Sequence, residues 1–171
     1  MAERSATHEM ISDLVRSDEV DRFSNPLEAR KKAMDYLARR EHSHAELVQK
    51  MTKAGFDPAV SADAIDKLCA EGLQSDRRFV ESFIQSRINQ GKGPARIRAD
   101  LGQRGLSDGL VGEMLDEAGA DWYALATAAR QRKFGAEDPV DFKEKARQMR
   151  FLQYRGFESD HVQAAFGNTR D

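Results

Sequence analysis

A glycine followed by a bulky apolar side chain recurs three times in this chain, about fifty residues apart. The three copies are Ala54-Gly55-Phe56, Arg104-Gly105-Leu106 and Arg155-Gly156-Phe157. Glycine takes the left-handed conformation that ends a helix without strain, and the apolar residue after it packs back on the last turn. The register around the three copies also agrees. Met51, Leu101 and Leu152 stand four residues before the glycine, and Ile65, Leu115 and Phe166 stand ten after it. One helical unit used three times explains both matches. No stretch alternates apolar and polar residues as a half-buried strand does. The expected fold is therefore all-α, with three tandem three-helix, helix-turn-helix-like repeats in an elongated, curved array. Each repeat is too small to complete a core alone, so it leans on its neighbours or stays loosely hinged.

The boundaries follow from punctuation. Residues 1–25 read as a flexible acidic arm, because the apolar run Met10, Ile11, Leu14 and Val15 is short for an isolated helix. Ser24-Asn25-Pro26 opens the first repeat, 26–72. Its first helix should face inward with Leu27, Lys31, Met34 and Leu37. Ser43 and Glu46 then form a capping box before Leu47 and Met51. Asp57-Pro58 starts a third helix, which carries Ile65 and Leu68. The second repeat, 73–120, begins near Ser75 or Asp76. It turns at Gly91-Lys92-Gly93, restarts with Pro94 at the first helical position, and stops at Gly105. The third, 121–167, begins at Asp121. Asp138-Pro139 should cap and start its middle helix, lined by Phe142, Met149 and Leu152, and Ser159 should cap its last. Gly55, Pro94, Gly105 and Gly156 are the structural residues on which this grammar rests.

Charge is segregated along the chain, although the net charge is only −2. Residues 76–105 and 122–155 each carry +4, and the acidic block between them carries −5. Arginine pairs bidentately with phosphate or carboxylate, which makes basic helices candidates for binding. The candidates in the second repeat are Arg77, Arg78, Arg87, Lys92, Arg96 and Arg98. In the third they are Arg130, Arg132, Lys133, Lys143, Lys145, Arg147 and Arg150. They do not all share one face: Arg96 and Arg98 lie about 200° apart on a helix of 3.6 residues per turn. Arg104 falls beside the Ile97/Leu101 face, so its stem should be partly packed.

Other chemistry finds little support. The four histidines have no cysteine pair, HExxH or carboxylate set around them, so no metal site is expected. Gly91-Lys92-Gly93-Pro94 follows a helix rather than the strand that precedes a nucleotide loop, and reads as a tight turn. Cys69 rules out a disulfide framework and reads as an inert core thiol. No catalytic set or cofactor motif suggests itself. No run approaches the ~18 apolar residues that span a bilayer, and MAERSATHEM lacks the apolar core of a secretory signal. The expected location is the cytoplasm, and the expected state is a monomer.

The segment DRRFVESFIQSRINQGKGPARIRADLGQRGL, from Asp76 to Leu106, resembles the central motif of the RecX regulators of the bacterial recombinase RecA. Phe142 to Phe157 and the stretch Ala33 to Leu47 are similar to other parts of that family. The likeness covers about residues 26–167. It implies a protein that is not an enzyme and needs no cofactor. Such a protein binds in the groove of the RecA–DNA filament and suppresses strand exchange, ATP hydrolysis and coprotease function. The basic blocks could meet acidic RecA surface or DNA phosphate. An alternative from the helical units alone is an autonomous nucleic-acid-binding module; a helical adaptor without a nucleic-acid role is a third.

Overall fold

The computed structural model describes the backbone of residues 2–167, and side chains over 7–16 and 22–167. All regular structure among these residues is helical. The chain divides into two compact units, Met1–Asp76 and Arg77–Asp171.

The first unit contains α1 (Ala2–Ser24), α2 (Pro26–Leu37), α3 (His44–Lys53) and α4 (Pro58–Ala70). Side chains close the orphan amides at each helix start. Asn25 Oδ1 accepts from Leu27 N at 2.9 Å and Ser43 Oγ from Glu46 N at 3.1 Å. Asp57 Oδ1 accepts from both Ala59 N and Val60 N. Leu47, Met51, Ile65 and Leu68 are fully buried under Phe56. Each contributes roughly 1.5–3 kcal/mol by leaving water.

Three expectations change here. Residues 2–24, read as a flexible arm, form a helix, and its end belongs to the unit. Phe23 meets Phe56 edge to face at 5.2 Å, and Phe23 O accepts from Asp57 N. Met10, Ile11, Leu14 and Val15 lie exposed along the same helix. In α2 the inward face is Ala29 and Ala33, while Leu27 is 76% exposed and Met34 is also exposed. Small side chains let α2 lie close on its neighbours, and sequence periodicity weighted by size points to the wrong side. Cys69 is exposed at the end of α4, not in the core.

The second unit carries α5 from its second residue, α5 being Asp76–Asn89. It continues with α6 (Pro94–Gln103), α7 (Asp108–Ala118), α8 (Trp122–Phe134), α9 (Phe142–Tyr154) and α10 (Ser159–Ala164). Two cores lie within it, one from α5 to α7 and one from α8 to α10. The repeat register holds in every copy. Met51, Leu101 and Leu152 are completely buried, and Ile65, Leu115 and Phe166 are buried as well. Gly55, Gly105 and Gly156 all have positive φ.

The third repeat departs from its expected grammar at three points. Asp141, not Asp138, caps α9, accepting from Glu144 N at 2.8 Å. Phe142 consequently sits at the first position of α9 and is 85% exposed. Glu158, not Ser159, occupies the N-cap of α10, in a capping box with His161.

The second and third repeats are joined through backbone. Gly93 N donates to Arg155 O at 2.8 Å, and Ala95 N donates to Gly156 O at 3.0 Å. The start of α6 thus meets the end of α9, where free amides face free carbonyls and the two helix dipoles are complementary. The tight-turn reading of Gly91 to Pro94 holds, and its three amides are already taken, by Ile88 O, Arg87 O and Arg155 O.

Candidate partner-binding surface

In the second repeat most candidate cations have a carboxylate at hand. Arg77, on the first turn of α5, donates to Glu113 Oε1 at 3.2 Å and also to Glu117 on α7. Those hydrogen bonds and charges raise its pKa further. The acidic block therefore does not stand apart from the basic one; part of it neutralises Arg77. Arg87 lies 4.2 Å over the Phe83 ring and 4.0 Å from Asp100. Arg96 pairs with Asp100 one turn on, at 3.4 Å, and covers Tyr154. Arg98 reaches Glu158 in the third repeat at 3.1 Å. Arg78 is exposed, and Lys92 is half-buried in the turn before α6. Arg104 stacks over Phe83 at 5.0 Å, which agrees with a packed stem.

The third repeat divides differently. Arg130 is only 3% exposed and is a core residue, so it leaves the list of surface candidates. Its Nη1 donates to Gln148 Oε1 at 3.2 Å and to Glu137 O at 3.4 Å, and the guanidinium lies over Phe166. Its Nε has no partner among the described residues. A buried charge is costly unless hydrogen-bonded, and Gln148, one carbonyl and a ring face supply only part of that compensation. The missed signal is Gln148. It stands eight residues before Gly156, where Leu47 and Ile97 stand before their own glycines. A polar residue at an inward position needs a polar partner.

Arg147 is held by Glu144 on its own helix through two hydrogen bonds of 3.0 and 2.9 Å. Lys145 is half-buried, 5.9 Å from the Phe166 ring centre. Arg132, Lys133, Lys143 and Arg150 are exposed. Of these, Arg132 and Lys133 are brought together with Arg155 around one small cleft. Arg155 belongs to the basic block but not to the candidates singled out from sequence.

His42, His44 and His161 are engaged within the fold, as are several acids. Burial lowers the pKa of His42, whose Nδ1 lies 3.0 Å from Arg40 O and whose Nε2 lies 2.9 Å from Lys50 Nζ. His44 Nε2 is 2.6 Å from Asp66. Glu158, Asp160 and His161 approach one another closely enough to suggest a metal ion. Their donors are occupied, however, by Arg98, by Tyr123 and by the Glu158 amide respectively.

Three small helical cores, with charge presented on helix faces, define a helical-repeat protein. The chain belongs to the RecX family. Models of the first, second and third three-helix domains of RecX match residues 29–68, 75–115 and 120–166. A regulatory protein RecX from Halorhodospira halophila is 47% identical over 133 residues, covering 78% of this chain and 83% of that one. One from Pseudomonas syringae pv. tomato is 47% identical over 140 residues, covering 82% and 90%. The fold is similar to that of RecX from Lactobacillus salivarius, with a TM-score of 0.69 at 18% identity, covering 82% of this chain and 93% of that one. No helix among the described residues is long and apolar enough to cross a membrane.

Proposed function

We propose that this chain is a negative regulator of the RecA recombinase. It binds in the groove of the RecA–DNA filament and restrains ATP hydrolysis, strand exchange and coprotease activity, and so regulates DNA repair and recombination. The observation that carries this reading is the match of all three domains, in order, to a family whose relatives are named regulatory proteins. The chain acts by binding rather than by catalysis, as a cytoplasmic monomer without a cofactor. Its exposed third-repeat cations are the side chains best placed to meet a polyanionic filament. The test adds purified chain to RecA filaments on single-stranded DNA and follows ATP hydrolysis and strand exchange. Both should slow in proportion to added chain. Unchanged rates at saturating chain overturn the proposal. Equal affinity for bare and RecA-coated DNA supports the autonomous nucleic-acid-binding module instead.

A further inference from the structure

At the junction of the second and third repeats lies a cleft of about 140 Å³. Its walls come from two helices and a turn. Arg132 and Lys133 come from the last turn of α8, Phe151 lies on α9 and Arg155 is its C-cap, and Gly91 belongs to the α5–α6 turn. The lining carries three positive charges and no carboxylate. One of these three cations is fixed by the fold. Arg155 Nη1 donates to Gln90 O at 3.1 Å, and its guanidinium lies over the Phe151 ring at 5.1 Å. Neither Arg132 nor Lys133 pairs with a carboxylate among the described residues. They therefore differ from Arg77, Arg96, Arg98 and Arg147, whose charge is spent inside the fold. Gly91, at the α5–α6 turn, has a φ of +75°, which favours glycine there.

We infer that this cleft seats one phosphodiester group of a nucleic-acid backbone. The inference rests on the filament reading above and deepens it by assigning a DNA contact to a named site. Size favours a single small anion, because the cleft holds roughly five water volumes, well below the ~300 Å³ at which pockets for larger ligands begin. Chemistry favours phosphate over carboxylate. A planar carboxylate is satisfied by one guanidinium fork, whereas a phosphate offers oxygens in several directions to cations arriving from different elements. A backbone phosphate is recognised without regard to base, as a protein on a filament of any sequence requires.

The test measures binding of the full chain to a fluorescein-labelled oligonucleotide, single- and double-stranded, by anisotropy across a salt series. Arg132→Gln/Lys133→Gln and Arg155→Gln are compared with the charge-matched controls Arg30→Gln/Lys67→Gln and Arg30→Gln. Losing one phosphate contact should flatten the log–log salt slope by about 0.7 on single strands and about 0.9 on duplex. The controls should keep the parent slope. The Arg132/Lys133 pair is exposed, so it reads the site even if Arg155→Gln perturbs the junction. No measurable binding by the parent, or the parent slope in both cleft variants, overturns the inference. Two competition arms separate other ligands. Saturation of Gly91 and Arg132 amide shifts by inorganic phosphate, with an unchanged DNA slope, makes this a free-phosphate site and overturns the backbone assignment. Competition by poly-glutamate that leaves DNA binding intact assigns it to an acidic protein surface and does the same. RecA inhibition is scored separately. Failure of the parent to inhibit RecA removes the filament reading, while the slope on bare DNA still decides the cleft.

Discussion

Gly93 and Gly156, sixty-three residues apart in sequence, meet backbone to backbone. A methyl group built on Gly93 would overlap the Gly156 carbonyl and the Phe157 nitrogen, and one built on Gly156 would overlap Arg96. The approach lets Gly93 N and Ala95 N donate to the carbonyls of Arg155 and Gly156, just past the end of α9. Two helix ends thus satisfy each other at the junction of two repeats. The glycine of the GKGP turn has a neighbour to accommodate as well as a conformation to adopt.

Gly93→Ala should therefore destabilise the chain by about 1–3 kcal/mol, the usual cost of forcing extra volume into a closed contact. Gly102→Ala, inside α6, the helix that Gly93 precedes, with nothing within 4 Å of its Cβ, is the control. It should stabilise by about 0.5–1 kcal/mol, because alanine is the better helix former. Urea midpoints of the two variants should move in opposite directions.

Gly105 has φ of +80° at the end of α6. Gly105→Val should cost about 1–2 kcal/mol or more, since a β-branched residue is strained there. An unchanged melting curve would show that the turn has another acceptable conformation.

Arg130 and Gln148 form a polar pair where the other repeats are apolar. Arg130→Ala should cost about 3 kcal/mol, from a cavity and a stranded Gln148 amide. Arg130→Met with Gln148→Leu should recover most of that loss or exceed the parent, because apolar replacement of a buried polar set is often neutral or stabilising. Thermal melts of the single and double variants measure the difference. A double variant no better than Arg130→Ala contradicts it.

His42 supplies a pH dependence with a definite sign. Its pKa is lowered in the folded chain, chiefly by burial, with the nearby Arg40 and Lys50 charges acting in the same direction against the hydrogen bond to Arg40 O, which raises it. The unfolded chain, with a pKa near 6.5, takes up a proton before the folded chain does. Stability should be fully present above pH ~6.5 and decline as pH falls from there towards the folded pKa. Unfolding followed from pH 7.5 to 5.5 should show this slope, and His42→Asn should reduce it.

Reversal of Lys143, Lys145 and Arg150 to glutamate should weaken RecA inhibition without loss of helicity. The effect should shrink as salt rises, because exposed charges are screened beyond about 8 Å at physiological ionic strength. Reversal of Arg77 and Arg98 is a less clean probe, since it also sets like charges against Glu113, Glu117 and Glu158. Circular dichroism should show any loss of helix in that variant first.

The sequence by itself determined the helices and their repeat. Helix stops depend on a glycine's local freedom and caps on a side chain two or three residues from the amide, so Gly55, Gly105, Gly156, Ser43 and Asp57 were legible in advance. So was the burial of Met51, Leu101 and Leu152, because large apolar residues at helical spacing have one place to go. Tertiary structure alone decided which face of α2 turns inward, since Ala29 and Ala33 are chosen by how near another helix comes rather than by hydrophobicity. It also decided which cations remain available. Arg77 finds Glu113 and Glu117, and Arg98 finds Glu158, across thirty-six to sixty residues of chain, while Arg132, Lys133 and Arg155 converge without an acid. Charge blocks in sequence record composition. Whether a charge is spent or free depends on which helix packs beside it, and no local pattern encodes that.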